Sequence, residues 1–213
     1  MQLTLHSAWR SSAAYRVRIG LNLKGLAYEI VPVNLVANQH QEPAFAALNP
    51  QQLLPALEVG GRTLTQSLAI LDWLDETVPK PPLLPTDPFD RALVRSMAQI
   101  IASDIHPVNN LRILRALTEL GVAEPGREDW IRRWITDGFT ALETMIVEHG
   151  RGFAFGDAPG LADCCLVPQV YNAERFKTDL TPFPALRAVA ARCAQHPAFI
   201  AAHPNQQPDA IHA

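Results

Sequence analysis

The sequence predicts a small α/β domain followed by an all-helical one. Three observations carry this. Strand and helix signals alternate as βαβ and then ββα over residues 1–79, a proline-rich stretch occupies 80–88, and helical periodicity dominates from about Phe89 to Ile200.

The first strand rests on Leu3 and Leu5 alternating with Gln2, Thr4 and His6. The helix after it begins at Ser11-Ser12, carries Val17-Leu21 and Ile19-Leu23 at i,i+4 spacing, and stops at Gly25, a good residue just past a helix end. Tyr28 to Val33 is β-rich, so the opening strand, helix, strand favours a parallel unit. A polar stretch from Asn38 to Glu42 leads to a short helical piece near Ala44 to Leu48. Ala56 to Val59 and Arg62 to Thr65 form a hairpin around Gly60-Gly61, a pair suited to a type I′ turn. Gln66-Ser67 opens a helix to Thr77 with Leu68, Leu71 and Leu74 on one face. Pro79, Pro81, Pro82, Pro85 and Pro88 then exclude a helix or a central strand, which makes 80–88 a stiff linker. In the helical half, residues 89–213, breaks are expected near 121–126, 150–160 and 181–184.

Composition excludes several classes. A net charge of −3 argues against nucleic-acid binding, which needs a basic footprint. No apolar run is long enough to span a membrane, and the first residues lack the basic and apolar regions of a signal peptide. Three cysteines, Cys164, Cys165 and Cys193, make a poor disulfide framework, so reduced thiols in the cytoplasm are expected. Cys164 and Cys165 read as small buried apolar residues of a helix. No metal site is expected.

Two pairs of residues invite a ligand. Ser11-Ser12 and Gln66-Ser67 each sit at a helix start, where unpaired N–H groups and positive potential suit an anion. Serine is also a common helix cap, so both uses stay open. Arg10 and Arg175 are equally open between a carboxylate clamp and a surface cation.

Several stretches in order resemble the zeta class of glutathione S-transferases, in particular its maleylacetoacetate and maleylpyruvate isomerases. They are Arg10-Ser11-Ser12-Ala13-Ala14-Tyr15-Arg16-Val17-Arg18-Ile19, Ala47-Leu48-Asn49-Pro50 running to Leu54-Pro55, and Gln66-Ser67-Leu68-Ala69-Ile70. In the second half they are Leu166-Val167-Pro168-Gln169-Val170, Asn172-Ala173-Glu174-Arg175-Phe176 and Asp179-Leu180-Thr181-Pro182, with Gln207-Pro208-Asp209 in the tail. The resemblance implies the glutathione S-transferase fold, a thioredoxin-like N-terminal domain plus an all-α domain. It also implies a homodimer.

The implied activity is glutathione-dependent cis–trans isomerisation of a maleyl keto-acid, in the catabolism of aromatic compounds. Ser11 would lead in stabilising the glutathione thiolate, with Ser12 second. Leu54, before a cis Pro55, would hold the cysteinyl part and Gln66 and Ser67 the γ-glutamyl end. His40 and Gln52 are assigned to the glycyl end, and His106 and Asn110 are further candidates for glutathione. Arg10, Arg175 and Asn109 would bind the dicarboxylate. Alternatives of other kinds are a general transferase, an α-haloacid dehalogenase and a non-catalytic binding protein.

Three positions depart from the pattern. Ala13 stands where the family usually has cysteine. Gly160 stands where a Ser or Thr usually caps the helix carrying Asp163; glycine is a tolerable cap, and Asp163 can still supply the reciprocal half of a capping box. In maleylpyruvate isomerases an arginine directly follows the two asparagines, whereas here Leu111 follows and Arg112 comes one later. One residue turns a helix by about 100°, so Arg112 is a poor replacement.

Overall fold

A computed structural model describes residues 2–211. The chain divides into two compact units: the part up to Leu83 together with the tail from Gln195, and Leu84–Ala194 between them.

The first unit is built on a four-stranded sheet in the order β2-β1-β3-β4, from β1 (Leu3–Ser7), β2 (Glu29–Pro32), β3 (Ala56–Val59) and β4 (Arg62–Thr65). β1 pairs parallel with β2 and antiparallel with β3, and β3 pairs antiparallel with β4. Helices α1 (Ser12–Leu23), α2 (Pro43–Leu48) and α3 (Ser67–Thr77) follow β1, β2 and β4, as the βαβ-ββα pattern predicts. Gly60 and Gly61 have φ of 53° and 78°, the positive pair that a type I′ hairpin demands. α1 and α3 pack closely at Gly20, where a Cβ would run into the side chain of Leu71.

α1 is buried all round from Ser12 to Leu21, not on one face as the i,i+4 pairs suggest. The cause is the tail. Helix α9 (Pro197–Ala202) packs on α1, where Arg18 Nε donates to Ala202 O at 3.0 Å and Asn22 Nδ2 to Ala198 O at 3.0 Å. The expected helical half, 89–213, therefore differs from the compact units, because its tail from Gln195 groups with the sheet.

The other boundary also shifts. Lys24 Nζ, buried, bonds Asp75 Oδ1 at 2.7 Å and Pro81 O at 2.6 Å, and Asp75 Oδ1 accepts the Leu83 N–H at 2.6 Å. This network ties the first half of the proline-rich stretch to α1 and α3. Removing one partner of a buried pair strands the other, at about 3–5 kcal/mol. Asp75→Ala is expected to lose stability on that scale in urea unfolding, and the conservative Asp75→Asn to lose less.

The second unit contains α4 (Pro88–Gln99), α5 (Leu111–Glu119), the long α6 (Glu124–His149), α7 (Leu161–Arg175) and α8 (Pro184–Cys193). Its core includes Met97, Ile101, Ile105, Ile135, Phe139 and Leu186; 150–160 lies between α6 and α7, whereas α6 and α8 begin within the breaks expected near 121–126 and 181–184. Cys164, Cys165 and Cys193 are buried and form no disulfide among the described residues. Among the described residues no helix is long and apolar enough to cross a membrane.

Gly160 does cap α7, and Asp163 answers as expected. Its carboxylate accepts the N–H of Gly160 at 2.9 Å and of Ala154 at 2.8 Å. Burial pushes the Asp163 pKa up to about 6, against the opposing pull of these hydrogen bonds. The folded state then holds a proton that the unfolded chain has released. This contribution is fullest below pH 4 and declines as pH rises to about 6, a change of roughly 3 kcal/mol. Denaturant unfolding across that window is expected to show the decline, and Asp163→Asn to flatten it.

Candidate active site

The first unit gathers most of the proposed ligand residues at helix starts and in the loop before β3. Arg10, Ser11 and Ser12 lie at the β1–α1 junction, where the Ser11 N–H closes a turn onto Ala8 O at 3.0 Å. Ser11 is the N-cap of α1, and its Oγ accepts the Ala14 N–H at 3.3 Å. Capping and catalysis are compatible here, because the cap uses a lone pair and leaves the hydroxyl proton to donate. Ser12 is the first residue of the helix and is buried, whereas Ser11 is partly open and Arg10 exposed.

α3 presents the second start. Ser67, its first residue, is buried and accepts a hydrogen bond from Arg16 Nη1 at 3.2 Å. Arg16 is 2% exposed, so a guanidinium from α1 lies against the first residue of α3. That charge adds to the helix dipole's attraction for a carboxylate. The periodicity of α1 gave no sign of it. Gln66, the residue before, has φ 68° and ψ 115°, a backbone conformation that residues other than glycine rarely adopt. Such strain concentrates at ligand sites. Its Nε2 donates to Gln51 Oε1 at 2.7 Å, a partner the sequence did not suggest.

Between these lies the loop to β3. The Leu54-Pro55 bond is cis, as the resemblance implies, and so is Lys80-Pro81, which it did not. Buried Asn49 organises the loop: Nδ2 donates to Leu53 O at 2.7 Å, and Oδ1 accepts the Gln51 N–H at 3.0 Å. Gln52 sits here with φ 56°, partly buried. His40 is in the 3₁₀ turn Gln39–Gln41 before α2.

The remaining candidates lie in the second unit. α4 runs into a π-helical turn, Ile100–Ile105, which ends at His106, and a 3₁₀ turn, Pro107–Asn109, follows. π turns recur at functional sites, and this one was hidden within the apparently regular helical period. The 3₁₀ turn is anchored to α6, where Trp130 Nε1 donates to Val108 O at 3.0 Å and Asn109 Nδ2 to Ile131 O at 3.5 Å. Among the described residues Asn109 Oδ1 is buried without a hydrogen-bond partner, which marks an acceptor available to a ligand or water. Asn110 caps α5 by accepting the Arg112 N–H at 3.1 Å. Leu111 and Arg112 are both exposed. Arg175, exposed at the end of α7, donates to Asn172 Oδ1 at 3.3 Å.

The donor set of the first unit fits a tripeptide thiol: a hydroxyl and helix amides for the sulfur, and a positively backed helix start for a carboxylate. Comparison with known proteins agrees. Residues 1–76 match the family model described as glutathione S-transferase, N-terminal domain. A maleylpyruvate isomerase from a Ralstonia species is 50% identical over 97% of this chain and 99% of its own. A holo structure of a maleylpyruvate isomerase, described as a bacterial zeta-class glutathione S-transferase, is 48% identical with a TM-score of 0.95, covering 98% of this chain and all of that one.

The chain belongs to the zeta class of the glutathione S-transferases.

A third relative, the maleylacetoacetate isomerase of Anaeromyxobacter dehalogenans, has a structure with glutathione in its active site. It is 49% identical with a TM-score of 0.90, covering 99% of this chain and 98% of that one. Ala13, which stands where the resemblance implies a cysteine, is buried at the second position of α1. With its three cysteines also buried, no thiol of the described residues is placed for chemistry. Alkylation of the native protein with iodoacetamide is expected to leave activity largely intact, and a large loss traced to one modified cysteine would contradict this.

Proposed function

We propose that this protein is a glutathione-dependent cis–trans isomerase acting on a maleyl keto-acid, with maleylacetoacetate as the substrate and fumarylacetoacetate as the product. The observation that carries the reading is Ser11. It caps α1 with a hydroxyl proton to spare, next to an exposed arginine, in a chain half identical to a known isomerase of this type.

Glutathione, when bound, supplies a thiolate whose reversible addition makes the maleyl double bond rotatable. The chain's own residues do the rest. Ser11 donates its hydroxyl proton toward the sulfur, and the first amides of α1 add positive potential. Together they hold the thiol ionised, whereas a free thiol has a pKa of about 8.5. The α3 start, with Ser67 and Arg16, takes the γ-glutamyl carboxylate; Gln66, Leu54, Gln52 and His40 hold the rest of the peptide, with His106 and Asn110 as further contacts. Arg10 and Arg175 bind the two carboxylates of the substrate, with Asn109 as a further substrate contact. Donors of this kind also stabilise the charge that develops on the conjugated carbonyl.

The relatives include both maleylpyruvate and maleylacetoacetate isomerases. Leu111, in the position of the arginine that marks the former, favours the latter. A comparison of kcat/KM for the two substrates decides between them. An absorbance assay of cis–trans conversion, with and without glutathione, tests the reaction class: conversion that needs the tripeptide and does not consume it supports an isomerase, and stoichiometric consumption would make the protein a transferase or dehalogenase. We also assign the protein to the cytoplasm, where its three buried thiols stay reduced, and to a homodimer, testable by sedimentation.

A further inference from the structure

Arg18, one of two buried arginines of α1, and Asp209 of the tail converge on one residue that the reaction scheme leaves unused. Trp9 precedes Arg10. Its backbone N–H donates to Asp209 Oδ2 at 2.9 Å, across 200 residues of sequence. Its carbonyl accepts from Arg18 Nη2 at 3.1 Å. Arg18 is 0% exposed and also donates through Nη1 to Ser7 Oγ at 2.9 Å and Ala8 O at 3.4 Å. Both backbone polar groups of Trp9 are thus held by side chains brought from elsewhere. Loops are seldom tied this way without cause, since exposed backbone is ordinarily satisfied by water. The indole shows the cause: the guanidinium carbon of Arg10 lies 4.0 Å from its ring centroid.

We propose that Trp9 is a positioning residue for substrate binding, an aromatic platform that presets the Arg10 guanidinium, and that Arg18 and Asp209 lock the platform in place. The inference rests on the reading of Arg10 as a carboxylate clamp. An arginine side chain free in solvent samples many rotamers, and ordering it on binding weakens the complex. Stacking on an indole leaves the edge of the guanidinium, with its N–H groups, open to a bidentate carboxylate while restricting that freedom. Asp209 extends the device to the tail, so that the β1–α1 junction depends on a segment far away in sequence.

The test is a double-mutant cycle on the full chain, read by calorimetric binding of maleate in the presence of glutathione and by steady-state kinetics. Trp9→Leu is expected to weaken maleate binding and raise the substrate KM about two- to fivefold, the factor an exposed cation–π contact carries. kcat and glutathione affinity stay as in wild type, and Trp9→Tyr restores the loss. In an Arg10→Ala background Trp9→Leu adds nothing further. Asp209→Ala moves the same quantities in the same direction, and Asp209→Asn restores them, because its carbonyl oxygen still accepts the Trp9 N–H. An equal penalty for Trp9→Leu with and without Arg10, or one that falls on glutathione, would overturn the platform while leaving the isomerase reading intact. An inactive wild-type protein, or Arg10→Ala behaving as wild type, would overturn that reading and the role given to Trp9 with it.

Discussion

Arg10→Ala is expected to lower kcat/KM by about a hundredfold or more, on the order of 3 kcal/mol, because it removes a charge-assisted contact to a substrate carboxylate. Arg10 is exposed and lies directly before the capping serine, so its removal strands no buried partner and leaves the fold unchanged. The loss therefore belongs to the substrate. Glutathione affinity should be close to wild type, and urea unfolding should superimpose. Lysine at this position recovers only part of the activity, since an ammonium cannot match a carboxylate with two parallel hydrogen bonds. Initial rates over a range of substrate concentration, at saturating glutathione, check all three statements.

Ser11→Ala is the second large effect, and its signature differs. The substitution removes the hydroxyl proton aimed at the sulfur and the oxygen that caps α1. A hydrogen bond to a charged group contributes about 1.5–3 kcal/mol, so the bound thiol should become harder to ionise by roughly one to two pKa units. Activity at neutral pH falls about ten- to a hundredfold. It recovers as pH is raised, because hydroxide then does what the serine no longer does. Losing the cap costs a further ~1 kcal/mol of stability, visible in thermal unfolding but not in the pH profile. Ser11→Thr retains both oxygen and proton and should behave much more like wild type. Ser12, buried as the first residue of α1, is expected to matter less to the thiol than Ser11.

The secondary structure of the first unit was legible because its signals are local. Alternation in Leu3 to His6, the Gly60-Gly61 turn and the helix starts at Ser11 and Gln66 each report on neighbours a few residues away. What could not be read depends on residues far apart. Arginine is usually a surface residue, yet Arg16 and Arg18 are both buried: Ser67 meets one and the tail carbonyl of Ala202 meets the other. No periodicity in α1 announces a partner 184 positions later. The π turn at Ile100–Ile105 was illegible for another reason: six residues are too few to show a period of their own, and they continue α4 directly.

The candidate site divides along the same line. Ser11-Ser12 and Gln66-Ser67 invite a ligand as helix starts, the resemblance points to the rest, and the structure supplies physical content for some of them: a spare hydroxyl proton at Ser11, backbone strain at Gln66, an orphan oxygen at Asn109. Gln51 and Arg16 escaped notice, because each acts through a hydrogen bond to a residue from another part of the chain.

The most direct measurement is the ultraviolet titration of the sulfur in the complex with glutathione, for wild type and Ser11→Ala. The account predicts a thiol ionised at neutral pH in the wild-type complex, well below the free value of about 8.5, and displaced upward in the variant. A bound thiol titrating as it does in free solution, or one unmoved by the substitution, would contradict it.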